Sequence, residues 1–463
     1  LDPSRKFYVP SKVLEATIAI KTSDVPAFGY VQYTLDTKGN SAKNLEKKNT
    51  LENEFYAINV EEDGSLTITD KENNVTYKNQ GVLVENGDDG DSFNYSPPRK
   101  DLEVFSNESE SSVKISGSDV YSQAVIHFDM VVPENLEERA EGKVSVTMPV
   151  DMTVALRKGS KVIDFNVKVD NKGLSHRLCV VFDSQIVSAF NYADQQFGLI
   201  KRPNYYEKEM KLYMESMNNR SEKKTGIQEL ANWANDQSTW QEPPISIEPT
   251  QSYISLTDGK TGVAVIPQGV REYEVLDDSK IRLTLFRTYG FMGKENLIYR
   301  PGRASGERII ETPAAQLLKQ MEFNFGFTTY AGDINDADID TLAKQYDTNM
   351  EVYTYAEFLN GRLIFSQREI EGKNDIVHSL FETEGNLVVS AIKKAEEDDG
   401  YIIRLYNGKD HRNLDDKIKF NFDVKEAYYT NLREEKTEAI KVENNTISVK
   451  ELSHCKFVTI WVK

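Results

Sequence analysis

The sequence predicts an all-β protein. Three observations carry that prediction: apolar and polar residues alternate with a period of two, turn residues punctuate the alternating runs, and helical patterning is scarce. Phe165, Val167 and Val169 alternate with Asp164, Asn166 and Lys168. Val144, Val146 and Met148 alternate with Lys143, Ser145 and Thr147, and Leu66 and Ile68 with Thr67 and Thr69. Successive side chains of a strand leave opposite faces, so such runs describe strands with one face in a core. Val154 to Val169 reads as a hairpin turning at Lys158-Gly159-Ser160. The complement of 26 Gly, 23 Tyr and 21 Phe suits many strands joined by tight turns. The final run, Phe457 to Val462, includes Trp461 and is expected to be tied into a sheet.

Two short helices are expected. Glu207 to Met217 has an amphipathic pattern, and Asp336 to Tyr346 has an acidic start and Lys344 near its end, which suits the helix dipole. The polar stretch Asn218 to Asn235 reads as a loop insertion. Two changes of composition suggest boundaries. The polar, lysine-bearing residues 36–49 precede a new strand run at Leu51-Glu52-Asn53-Glu54-Phe55-Tyr56, and Glu382-Thr383-Glu384-Gly385-Asn386 precedes a block of sandwich size. The expected organisation is an N-terminal β segment over 1–45, part of a small sandwich, a large β domain over 46–384, and a C-terminal β-sandwich over 385–463.

The chain has 463 residues, of which 39% are hydrophobic and 28% charged, a balance that supports real cores under an ordinary polar surface. With 74 acidic against 56 basic residues the formal charge is -18, which repels phosphate backbones and anionic bilayers. Nucleic acid and membrane are therefore excluded as expected partners. No apolar stretch approaches the roughly 20 residues that span a bilayer. Cys179 and Cys455 sit in apolar runs and read as two buried, unbridged thiols, which suits a reducing cytoplasm. Leu1-Asp2-Pro3-Ser4-Arg5-Lys6 is neither a signal peptide nor an initiator Met, so the chain is expected to start inside a longer product or to have been cut.

The residues themselves offer little catalytic patterning. His127, His176, His378, His411 and His454 show no zinc-ligand spacing, and there is no Cys-x-x-Cys, Gly-x-Ser-x-Gly or phosphate-cradling loop. His127, inside Ala124-Val125-Ile126-His127-Phe128, reads as a core or cross-strand residue. Two loops stand out. Gly87-Asp88-Asp89-Gly90-Asp91-Ser92-Phe93-Asn94-Tyr95-Ser96-Pro97 is either a turn, a calcium loop lacking the expected Glu, or part of a glycosidase carboxylate site. Tyr299-Arg300-Pro301-Gly302-Arg303-Ala304-Ser305-Gly306-Glu307 is either a solvated turn or a loop whose arginines bind sugar hydroxyls.

Several stretches, in order along the chain from about Val13 to the end, resemble family 38 α-mannosidases, particularly the bacterial branch. They are Val25-Pro26-Ala27-Phe28-Gly29-Tyr30, Leu51 to Tyr56 with Asp63-Gly64-Ser65-Leu66, the Gly87 to Pro97 loop with Phe93 where Tyr is commoner, Val169-Asp170-Asn171 with His176-Arg177-Leu178, Ala193-Asp194-Gln195-Gln196-Phe197-Gly198, and Leu283 to Arg287 leading to Arg300-Pro301-Gly302-Arg303. The resemblance implies a galactose-mutarotase-like super-sandwich for the large domain, with smaller immunoglobulin-like sandwiches beside it. It also implies a C-terminal half lacking the N-terminal catalytic domain. The family hydrolyses α-mannosides with retention, using an Asp nucleophile, a second Asp as acid/base, and a zinc held by His and Asp. These residues are expected outside this chain, so no catalytic residue or zinc ligand is assigned here.

What the resemblance assigns to this chain is substrate contact through returning loops. Arg303 matches the active-site arginine best, with Arg300 as the alternative; Phe93 matches the aromatic of the acidic loop, and Asp91 is its neighbouring carboxylate. Phe93 lacks the hydroxyl of a Tyr and so keeps only the stacking role. The expected partners are an α-mannoside, reached through the catalytic half, and optionally a second copy of the chain. A stand-alone carbohydrate-binding module and a mutarotase-like isomerase are the competing readings. The isomerase requires an exposed His paired with a carboxylate, and the sequence suggests no His–Glu pair. The isolated chain is expected to be inactive.

Overall fold

The computed structural model describes residues 20–22, 24–33, 50–220, 242–301, 309–348, 350–352 and 377–463, except for the side chains of 216–220. Its architecture is all-β, with about 50% of residues in strands and 8% in helices. Two large antiparallel sheets lie face to face. The nine-stranded sheet runs, edge to edge, through Gly198–Pro203, Phe190–Gln195, Ile254–Thr257, Thr261–Gln268, Gln320–Ala331, Ile163–Asp170, Val146–Arg157, Tyr121–Val132 and Glu110–Gly117. The six-stranded sheet runs through Glu248–Pro249, Glu272–Leu276, Lys280–Arg287, His176–Asp183, Val82–Gly87 and Val104–Phe105. A four-stranded meander, Thr50–Glu52 through Val75–Gln80, adds Ile58, Leu66, Ile68 and Tyr77 to the same core.

The predicted alternation becomes the core. Phe165, Val167 and Val169 face inward, and Val154 pairs with Phe165 across the predicted hairpin. The facing sheets meet through aromatic rings: Phe182 of the six-stranded sheet meets Phe165 edge-on at 5.2 Å and stacks on Phe327 at 5.1 Å. His127 is a cross-strand residue, its Nδ1 2.7 Å from Asp151 on the neighbouring strand. Strand His176–Asp183 is buried on both faces, which pure alternation does not describe. Leu178, Val180 and Phe182 point into the core, while Arg177 and Cys179 point to the sheet's outer face, where loops cover them.

Both expected helices form, at Glu207–Arg220 and Ile339–Asp347. The acidic start of the second serves a tertiary purpose. Asp338, at φ 50°, makes no side-chain cap; it and Asp340 share the buried Lys409 at 3.0 and 2.9 Å. A third helix, Leu136–Glu141, was not expected. It is only six residues long, opened by the Asn135 side chain on the Glu137 and Glu138 amides and closed by Gly142 at φ 71°.

A smaller sandwich follows, with four strands, Phe381–Thr383, Leu414–Phe420, Thr446–Leu452 and Val442–Glu443, against five that include Tyr401–Tyr406 and Phe457–Val462. Phe381–Thr383, ahead of residue 385, already hydrogen-bonds into this sandwich, and Val377–Ser379 pairs with Gly29–Val31. The final strand is central in its sheet, as its apolar run requires. The smaller sandwich meets the larger at Phe197, which stacks on Phe457 at 5.0 Å, and at Leu199, whose amide donates to Gly408 O at 3.2 Å. Both cysteines are free, but only Cys179 is buried; Cys455, expected to be buried, is exposed at this junction because its residue lies in the turn before the last strand. The insertion expected at 218–235 lies mostly outside the described residues, and no described helix is long and apolar enough to cross a membrane.

Candidate functional site

The acidic loop leaves the end of strand Val82–Gly87 and folds over the outer face of the six-stranded sheet. Its own backbone closes it: the Asp89 amide donates to Ser96 O at 2.8 Å and the Asp91 amide to Asn94 O at 3.0 Å. Asp91 Oδ1 accepts the amides of Phe93 and Asn94 at 2.9 and 3.0 Å, and Asp88 Oδ1 accepts that of Gly90 at 2.8 Å, the local bonding that makes Asp a turn residue. Gly90 is required by close approach, since a Cβ there would sit 2.0 Å from Asn94 O.

The segment 287–300 clasps this loop cation by cation. Arg287 donates from Nε to Asp88 Oδ2 at 2.6 Å and from its terminal nitrogen to Asp88 Oδ1 at 3.1 Å, and also reaches the carbonyls of Asp91 and Asn94, each at 2.9 Å. Lys294 pairs with Asp89, and Arg300 pairs with Asp91 while also donating to Asn94 Oδ1. The Lys294 amide adds a bond to Asp91 Oδ2 at 2.8 Å. Asp91 is fully buried and Arg300 is 3% exposed. Burial would raise the Asp91 carboxyl, but Arg300 and the three backbone amides outweigh it and hold it below the usual carboxylate range.

The two loops singled out in the sequence are therefore one structure. The terminal nitrogens of Arg300 bind Asp91, Asn94 Oδ1 and Lys294 O, while its buried Nε has no partner among the described residues. Phe93, between the Asp91 and Asn94 anchors, is 58% exposed at the tip. Arg303 lies outside the described residues. Beneath the loop, Arg177 lies 4.0 Å under the Tyr95 ring and donates to Asn86 at 3.0 Å and Glu274 at 2.8 Å. Tyr95 meets Tyr299 edge-on at 5.9 Å, joining the two loops a second time.

A His–Glu pair, which the sequence did not suggest, does exist. His176 Nδ1 lies 2.9 Å from Glu85 and its Nε2 2.9 Å from Asn171 Oδ1, with Arg139 of the unexpected short helix on the same carboxylate. His176 and Glu85 are both fully buried, so the pair braces the root of the acidic loop and faces no ligand. The signal was out of reach because 91 residues separate the partners. Arg287 closed a sequence motif without an evident role, and nothing in the sequence marked Lys294. Among the described residues no three His, Cys, Asp or Glu side chains are placed to hold a metal ion.

Comparison with known proteins agrees with this architecture. Residues 51–291 match the glycosyl hydrolases family 38 C-terminal domain, and residues 386–459 the glycosyl hydrolases family 38 C-terminal beta sandwich domain. A protein of Halalkalibacterium halodurans named as a mannosylglycerate hydrolase is 24% identical over 422 residues, which cover 87% of this chain and 40% of that protein. An α-mannosidase from Enterococcus faecalis V583 superposes with a TM-score of 0.71 at 21% identity, over 93% of this chain and 44% of its own. A glycosyl hydrolase family 38 protein from Enterococcus faecalis gives 0.69 at 21% identity, over 92% and 45%. This chain thus spans less than half the length of these relatives. It belongs to glycosyl hydrolase family 38, of which it carries the C-terminal β domains.

Proposed function

We propose that this chain is the C-terminal β region of a retaining, zinc-dependent α-mannosidase and that it completes the sugar site of a catalytic half preceding it. The clasp is the observation that supports this most. A buried ion pair contributes little net stability on its own. Three cation–carboxylate contacts around one short loop, two of them on carboxylates that are 1% and 0% exposed, therefore indicate a tip whose position matters. In this proposal Phe93 supplies an apolar wall for a sugar face, and Arg303 donates to a mannose hydroxyl. Arg300 and Asp91, expected from the sequence to touch substrate, act instead by holding the loop.

Exposed Met292, Ile298, Ile309, Ile310 and Leu318 lie on the segments that flank or follow the clasp and supply apolar surface against which the preceding half packs. The chemistry itself, a nucleophilic carboxylate and an acid/base carboxylate about 5–5.5 Å apart, belongs to that half. Among the described residues no side-chain group fits zinc, and in this proposal its ligands belong to that half. The substrate class is an α-mannoside, mannosylglycerate included, and the location is cytoplasmic. The isolated chain is inactive. The test is hydrolysis of an aryl α-mannoside by the isolated chain and by the full-length protein. Turnover that copurifies with the isolated chain, or its absence from the full-length protein, overturns the proposal.

A further inference from the structure

The outer face of the nine-stranded sheet carries a second polar feature, on the opposite side of the sandwich from the acidic loop. Four strands align Thr153, Asn166, Asn324 and Gln268 in one row: Thr153 opposes Asn166, Asn166 opposes Asn324, and Asn324 opposes Gln268. The adjacent row holds Ala155 opposite Asp164 and Asp164 opposite Gly326, so the sheet surface dips there. Tyr346, at the end of helix Ile339–Asp347, lies over that dip; a Cβ on Gly326 would come within 3.1 Å of its ring. The rows, Tyr346, Gln345, Thr348 and Met350 enclose a groove of about 340 Å³. That is at the lower end of the range for small-molecule sites, about 300–1,000 Å³.

The lining chemistry is specific in kind. Its charges are one Arg and one Asp, and these neutralise each other: Arg157 Nε donates to Asp164 at 2.8 Å. On a chain of net charge -18 the groove is therefore locally neutral, which disfavours anions and cations alike. The other polar side chains of the lining are amides and hydroxyls. Asn166 Nδ2 donates to Asn324 Oδ1 and to Glu322 Oε1, each at 2.7 Å, which fixes the amide orientations and leaves Asn166 Oδ1 and Asn324 Nδ2 without a partner among the described residues; Glu322 is itself paired with Lys168 at 3.6 Å, so the edge of the groove stays neutral. Gln268 is fixed in turn by its bond to Tyr346 O at 2.9 Å. A pre-oriented acceptor beside a pre-oriented donor matches adjacent hydroxyls, each of which donates and accepts. The Tyr346 ring and the 66% exposed Met350 supply apolar contact for the C–H face of a pyranose.

We propose that this groove binds a neutral saccharide and is an accessory site distinct from the Phe93 loop. It does not depend on the function proposed above. The test is saturation-transfer NMR on the chain with maltotriose and with α-1,6-mannotriose, using a glucuronic acid disaccharide as the charged control. Transfer to a neutral trisaccharide is expected, weakened about tenfold by Asn166→Ala with Asn324→Ala, the loss of roughly two hydrogen bonds. Met350→Ala, a change at an exposed position of the rim, should weaken it in the same direction. Phe93→Ala should leave transfer to maltotriose, which is not a mannoside, unchanged. No transfer to either trisaccharide overturns the proposal, as does transfer unaltered by the groove variants, transfer to maltotriose lost with Phe93→Ala, or preference for the charged control.

Discussion

Removing the Asp91 carboxylate is the sharpest perturbation of the clasp. Asp91→Ala takes away the acceptor of three backbone amides, those of Phe93, Asn94 and Lys294, and the counter-ion of Arg300. Arg300, at 3% exposure, stays buried with Asn94 Oδ1 and Lys294 O as its remaining acceptors. Leaving one charge of a buried pair uncompensated typically costs about 3–5 kcal/mol. Amide hydrogen exchange on the peptide spanning residues 86–97 reads this locally, and protection there should fall by about two to three and a half orders of magnitude. The pH dependence follows from the lowered Asp91 carboxyl. A depressed folded pKa contributes stability above the ordinary carboxylate value of about 3.9 and loses it as pH falls through the folded value. Loop protection should therefore persist at pH 4–5 and give way only below about pH 4. Arg300→Met combined with Asp91→Ala should cost less than the sum of the two, because the double variant leaves no unpaired charge. Additive costs, or an Asp91→Ala loop protected like wild type, would refute the clasp as a coupled unit.

Three further outcomes are expected. Gly90→Ala, whose Cβ would meet Asn94 O at 2.0 Å, should lower loop protection while the thermal midpoint of the smaller sandwich stays put; an unchanged loop would show that the close approach is not constraining. Asp194, at the junction, has its carboxyl raised to about 6, chiefly by burial. A raised acid loses stability as pH climbs from about 4 to 6, so Asp194→Asn, which keeps an acceptor for Ser252, should flatten that slope and stabilise at pH 7 by up to about 2 kcal/mol; a wild-type slope in denaturant titrations would contradict it. Thiol titration should count Cys455 in the native protein and Cys179 only after denaturation, and two equivalents in native protein would refute the burial of Cys179.

Strands were legible where one face meets the core and the other meets solvent, as in Ile163–Asp170. Strand His176–Asp183 was not readable as a layer of its own, because its outer face is buried under loops and carries Arg177 rather than an exposed polar residue. Local composition marked both loops of the site, yet their union was invisible. Arg300 and Asp91 are 209 residues apart, and no local rule links an arginine beside a Pro-Gly turn to an aspartate beside a glycine. The buried Glu85–His176–Arg139 brace was hidden for the same reason, and its helix was too short for periodicity to register. Asp340 in the first turn and Lys344 in the last turn of Ile339–Asp347 stand where the helix dipole favours them, but that Asp338 and Asp340 also bind Lys409 of the other sandwich is a long-range contact no local pattern shows.

The central claim is that this chain lends its loop to a mannoside site, and the kinetics of Arg303→Ala in the full-length enzyme test it most directly. A charged hydrogen bond lost from a closed site costs about 1.5–3 kcal/mol, so kcat/KM should fall roughly 10- to 150-fold with the fold intact. Arg303→Lys should recover only part of that, because an ammonium lacks the planar fork. Wild-type kcat/KM for Arg303→Ala and Phe93→Ala alike would contradict the claim and leave the clasped loop a structural turn.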